Sequence, residues 1–100
     1  MKTSYDSQAD VLYIAIAEGE IEESDEIAEG VIIDLDTEGN PLGLEILDAS
    51  KLMGSRRKIE TLLKAGEDKL KELVALTLTK RFDQQEILYL IEELKKAKTG

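Results

Sequence analysis

GVIIDLDTEGNPLGLEIL, residues 30–47, is typical of two antiparallel strands joined by a tight turn. Apolar and polar residues alternate on both sides of the turn, which is the period of strands with two different faces. Gly39 and Asn40 readily adopt positive φ, and Pro41, which lacks an amide hydrogen, suits the start of a strand. One face of this predicted hairpin carries the apolar residues Val31, Ile33, Leu35, Leu42, Leu44 and Ile46.

The residues before this hairpin predict further strands. Residues 11–16 are apolar and rich in β-branched side chains, and a turn-forming cluster separates them from a short first strand. Residues 21–28 are an acidic strand candidate whose large apolar side chains are Ile21 and Ile27. We therefore expect an antiparallel sheet in meander order over residues 2–47, with one apolar face that needs a cover.

Beyond this sheet, the apolar residues recur with the period of a helix. Asp48 and Ser55 are candidate N-caps, and Gly66 is a natural residue to follow a helix end. Further helices are expected from about residue 68 to 80 and from about 83 to 97.

These elements predict a single α+β domain of 100 residues. An antiparallel meander sheet of four or five strands forms an acidic N-terminal module, residues 1–48. Two or three C-terminal helices within residues 49–100 cover it. A hydrophobic content of 42% is sufficient for a globular core.

The charge is divided between the same two halves. Residues 1–50 contain 14 carboxylates and one base, Lys2, for a net charge of −13, whereas residues 51–100 contain 12 bases and 8 acids, for a net charge of +4. The bases lie mainly in residues 51–82. We expect them to meet the acidic sheet, either within one chain or across a dimer.

The composition argues against several kinds of chemistry. The chain has no Cys and no His, which removes disulfides, thiolate metal sites and histidine-based catalytic triads. Its glycines form no phosphate-binding loop, and we expect no enzyme activity and no cofactor. Because no run of about 18 apolar residues and no signal-like N-terminus is present, we expect a cytoplasmic protein that does not enter membranes.

Three carboxylates are candidates for a metal site. Asp34 and Asp36 share one strand face at about 7 Å, and Glu45 on the next strand can approach them. Oxygen ligands of this kind suit magnesium or calcium, so a divalent-metal-dependent hydrolase is an alternative function. The competing interpretation is a solvated outer face of the sheet.

The basic cluster Arg56, Arg57 and Lys58 is a candidate interaction surface. Such residues can contact the phosphates of nucleic acid, which makes nucleic-acid binding a second alternative function. The net charge of −9 and the lack of stacking aromatic residues beside the cluster disfavour it.

The last predicted helix carries a second candidate surface. Its apolar stripe includes Ile91, and Leu88 and Tyr89 extend the apolar surface beyond what one neighbour would cover. Surplus apolar surface of this kind favours a homodimer. The competing interpretation is that the sheet covers this stripe. The leading functional hypothesis is therefore a small, non-enzymatic interaction module that associates with itself.

Several motifs of the N-terminal half resemble one family. They are YDSQADVLYI at residues 5–14, GVIIDLD at 30–36, GN at 39–40 and GLEILDAS at 43–50. Together they resemble a small prokaryotic family, the domain-of-unknown-function family 2283, over about residues 1–52. The helical half carries no such resemblance.

The resemblance implies a compact β-rich module without an established activity. It also implies an antitoxin-like or adaptor role, because some members resemble partners of small toxins. The resemblance implies that Tyr5 and Tyr13 are aromatic residues of the core. It also implies that Asp6 and Asp10 are turn residues. Residues 39–40 form the hairpin turn in this interpretation.

Overall fold

A computed structural model describes residues 2–81 and residue 85. It contains five strands, followed by helices, and thereby confirms the predicted α+β class with an antiparallel sheet. The strands are β1 (Ser4–Asp6), β2 (Val11–Ala15), β3 (Glu23–Ala28), β4 (Val31–Leu35) and β5 (Pro41–Leu47). The helices are α1 (Ala49–Met53), α2 (Arg56–Ala65) and α3 (Glu67–Arg81).

The helix predicted over residues 83–97 lies outside the described residues, and with it lie Leu88, Tyr89 and Ile91. Within the described part of the chain, no helix is both long and apolar enough to cross a membrane.

The strand order is β1-β2-β5-β4-β3, which corrects the meander prediction in one respect. Consecutive strands pair within β1–β2 and within β3–β4–β5, but β2 pairs with β5 and not with β3. Residues 16–22 carry the chain past the ends of β5 and β4, where Glu22 donates its amide hydrogen to Leu35.

Burial explains this order. A central strand has neighbours on both sides and is buried, and β5 supplies Leu42, Leu44 and Ile46 for that position. The four acidic or polar residues that begin β3, residues 23–26, are all exposed. Charged residues belong on an edge strand, because there they remain in water and oppose pairing with other sheets.

One face of the sheet and the helices share a hydrophobic core. Full burial of a Leu or Ile side chain contributes about 1.5–3 kcal/mol, so this core is the main source of stability. Its buried members on the sheet are Leu12, Ile14, Val31, Ile33, Leu44 and Ile46, and those on the helices are Ala49, Met53, Ile59, Leu62, Leu70, Val74, Ala75 and Leu78.

The first turns of α1 and α2 are stabilised by different hydrogen bonds. Ser55 caps α2 as predicted, since its hydroxyl accepts a hydrogen bond from the amide of Lys58 at 3.1 Å. Asp48 precedes α1 as predicted, but its side chain makes no capping hydrogen bond. The amide of Ser50 instead donates to the carboxylate of Asp10, 40 residues earlier in the chain, at 3.0 Å.

Candidate functional site

The second face of the sheet, turned away from the core, carries a cluster of polar side chains. Strand alternation puts Tyr13, Asp34 and Glu45 on this face, because their neighbours in the chain point into the core. Tyr13 lies opposite Glu45 across β2 and β5, and Asp34 lies opposite Gly43 across β4 and β5. Asp34 and Glu45 are therefore diagonal neighbours on adjacent strands.

Gly43 makes room for the ring of Tyr13. A Cβ atom at Gly43 would lie 2.0 Å from the Tyr13 hydroxyl oxygen and 2.5 Å from Cζ, so a side chain and this ring cannot occupy the place together. The ring thus lies over the backbone of β5 at Gly43. The resemblance assigned Tyr13 to the core, but the structure places it on the opposite face.

Asp34 is the most buried carboxylate of this cluster, with 1% of its surface exposed. The hydroxyl of Ser24 donates a hydrogen bond to its Oδ1 atom at 2.6 Å. The solvated outer face expected for this position is therefore wrong for Asp34, because Tyr13 and the neighbouring strands enclose it. Burial also raises the pKa of Tyr13, and the charges of Asp34 and Glu45 add to that effect.

Glu45 is hydrogen bonded to Asp34. Burial, followed by this hydrogen bond and by the negative charge of Asp34, raises the pKa of the Glu45 carboxyl above its ordinary value of 4.5. The folded chain therefore holds the proton of Glu45 more tightly than the unfolded chain does.

Asp36 does not join these two carboxyl groups. Its carboxylate accepts hydrogen bonds from the amides of Glu38 and Asn40, both at 2.9 Å, and thereby holds the turn between β4 and β5. These hydrogen bonds, led by that from Asn40, lower the pKa of Asp36 against the opposing effect of burial. Among residues 2–81 and 85, no three acidic side chains gather in a way that could hold a metal ion.

Asp10 lies at the junction between the sheet and the helices, with 7% of its surface exposed. It accepts hydrogen bonds from the hydroxyl of Tyr5 at 2.5 Å and from the hydroxyl of Ser50 at 2.6 Å, in addition to the Ser50 amide. The guanidinium of Arg56 lies 4.0 Å from Oδ2. Asp10 thus ties β1 to α1 and α2, which is more than the turn role that the resemblance implied.

The ionisation of these groups follows from their contacts. Burial alone would raise the pKa of Asp10, but hydrogen bonds from Ser50 and Tyr5, together with Arg56, bring it below 3.8. Burial and the hydrogen bond to the Asp10 carboxylate raise the pKa of Tyr5 from 10.0 to about 12. At neutral pH the carboxylate is therefore ionised and the phenol is protonated.

The basic cluster at the start of α2 divides into two parts. The Nε atom of Arg56 donates to the carbonyl of Ser7 at 3.0 Å, so this side chain holds α2 against the β1–β2 turn. Arg57 and Lys58 are exposed on the surface of the same helix turn. The expected meeting of bases with the acidic half is thus present within the chain for Arg56.

The sequence interpretation missed Ser24, Gly43 and Ser50 as parts of these clusters. Gly43 carried a usable signal, since a glycine inside a strand often marks a close approach of another group. Ser24 and Ser50 carried none, because their partners are distant in the chain and become neighbours only through strand and helix pairing.

Comparison with known proteins gives one match. The model of a protein family described as "Protein of unknown function (DUF2283)" matches residues 2–50, which is the sheet together with the start of α1. Neither the curated proteins nor the solved structures give a match. The resemblance expected from the motifs of the N-terminal half is confirmed, and through residues 2–50 the chain belongs to the DUF2283 family.

Proposed function

We propose that the protein is a non-enzymatic interaction module that associates with itself and acts as an adaptor or antitoxin-like partner in the prokaryotic cytoplasm. One observation carries this proposal. Residues 18–29 contain seven carboxylates and no base, and they include an exposed edge strand of the sheet. Seven carboxylates within twelve residues, with no base among them, form an electrostatic surface for a basic partner.

The edge position of β3 limits what can bind there. Its sheet neighbour is β4, and residues 23–26 are exposed. Pairing of β3 with β3 of a second copy would bring Glu23, Asp25 and Glu26 against carboxylates of the same sign. A basic surface is the complementary partner.

A second copy of the chain offers such a surface at the start of α2. Arg57 and Lys58 are exposed there, while Arg56 is held by Ser7 and Asp10 of its own chain. Contact between the acidic edge of one copy and the basic helix turn of another would bring opposite charges together. This association would weaken as salt screens the charges.

Light scattering in low and high salt tests this proposal. We expect a dimer at micromolar concentration in low salt, and its dissociation in high salt. The double variant Arg57→Glu, Lys58→Glu should be monomeric in both conditions. The control Lys64→Glu changes an exposed base of the same helix farther along and should still dimerise. A wild-type monomer in both salts would refute self-association, and a dimeric double variant would refute the charge pairing.

A further inference from the structure

The second face of the sheet carries two neighbouring carboxyl groups, one of which, that of Asp34, is almost fully buried. Asp34 and Glu45 are diagonal neighbours on β4 and β5, and the ring of Tyr13 lies over Gly43. The five strands contain neither Lys nor Arg. Within the five strands, the charge that can compensate a carboxylate in this place is therefore a proton.

The other groups on this face do not change that conclusion. β2 contributes Tyr13, and β3 contributes Ser24, which donates to Asp34. β3 also contributes Glu26, an exposed carboxylate that accepts a hydrogen bond from the amide of Gly30 at 3.1 Å. Asp6 of β1, near the other end, has its carboxylate engaged by the amides of Gln8 and Ala9. All these titratable groups are neutral or negative.

We propose that Asp34 and Glu45 form a pH-sensitive latch in the sheet. With one proton between them, the two carboxyl groups hydrogen bond and fasten β4 to β5 beneath Tyr13. Without that proton, two carboxylates repel each other in a partly enclosed place and loosen this face. The latch concerns the sheet itself and does not depend on the proposed function.

The direction of the pH effect follows from Glu45. Its folded-state pKa is raised above the ordinary value of 4.5, so the folded state holds the proton more tightly than the unfolded chain does. The resulting stabilisation is complete below that ordinary pKa and is lost as pH rises through the folded-state pKa. The more familiar carboxylate, with a lowered pKa, behaves in the opposite way.

Urea unfolding as a function of pH tests the latch. From about pH 5 to about pH 8, where tyrosine stays protonated, we expect the urea midpoint of the wild type to fall by roughly 0.5 M. Glu45→Gln keeps a hydrogen-bonding side chain without a titrating proton, and its midpoint should fall much less. Glu26→Gln makes the same charge change on the same face and should retain the wild-type fall.

A direct titration avoids any dependence on how the variants fold. The side-chain carboxyl carbon of Glu45, followed by NMR in the wild type, should titrate above the ordinary range of glutamate. A Glu45 titration within the ordinary range, or a Glu45→Gln midpoint that falls as much as that of the wild type, would overturn the latch.

Discussion

Two aspartates of this small domain are almost fully buried, yet their surroundings are opposite in charge. Asp10 is 7% exposed and receives hydrogen bonds from Tyr5 and Ser50, with Arg56 nearby. Asp34 is 1% exposed and is bonded by Ser24 and by Glu45, a second acid. Burial is therefore compensated by donors and a cation at one aspartate, whereas the other has a hydroxyl donor and a second acid beside it.

The comparison shows that burial alone does not decide whether a carboxyl group stabilises the fold at low pH or at high pH. The pKa of Asp10 is lowered, so its stabilisation is present above the unfolded-state value near 3.8 and is lost as pH falls through the folded-state pKa. The pKa of Glu45, beside Asp34, is raised, so that pair loses its contribution as pH rises. The two clusters therefore lose their contributions to stability as pH changes in opposite directions.

The largest expected effect comes from removing the Asp10 carboxylate. Asp10→Ala leaves the hydroxyls of Tyr5 and Ser50 and the Ser50 amide without their acceptor, and it puts alanine at a φ of 58°. We expect a loss of about 3 kcal/mol in the free energy of unfolding, measured by urea denaturation at neutral pH.

Asp10→Asn is the matched control for this prediction. It keeps an acceptor oxygen and tolerates positive φ, so its loss should be clearly smaller, and it should reduce the loss of stability at acid pH. Equal losses for the alanine and asparagine variants would show that the charge, and not the hydrogen-bond geometry, holds this junction together.

The next effect probes the second face. Gly43→Ala puts a Cβ atom into the ring of Tyr13, which must swing away and uncover Asp34 and Glu45. We expect a loss of about 2 kcal/mol by the same denaturation measurement. In a Tyr13→Ala background the added methyl group has free space, so the same change should cost much less. Additive losses in this double-mutant cycle would contradict the close approach.

The smallest expected effect is the difference between replacing Arg56 and replacing its neighbour Arg57. Arg56→Ala removes the hydrogen bond to Ser7 and the 4.0 Å contact with Asp10, but its side chain is 54% exposed, so solvent screens the pair. We expect a loss of about 0.5 kcal/mol. Arg57→Ala, at an exposed position, should leave the unfolding midpoint unchanged. A larger loss from Arg57→Ala would mean that its side chain contributes to folding as well.

The sequence by itself determined the local structure. Alternation placed Ile33 and Asp34 on opposite faces, Gly39 and Asn40 placed the turn, and Ser55 placed the start of α2. Asp36 lies just before the turn, and its carboxylate accepts hydrogen bonds from amides of that turn, although the sequence suggested a metal ligand. These features depend on interactions between residues a few positions apart, so they can be predicted from the local sequence.

The tertiary structure alone decided the strand order and the composition of the two clusters. The order places β5 between β2 and β4, which brings Tyr13 and Asp34 to either side of Gly43. Asp10 reaches Ser50 across 40 positions in the same way. The free energy that is needed to close such long loops grows only slowly with loop length, so it differs little between alternative strand pairings. The pairing that buries the most apolar surface is therefore favoured. Which acids become neighbours and which meet an arginine follows only from that choice.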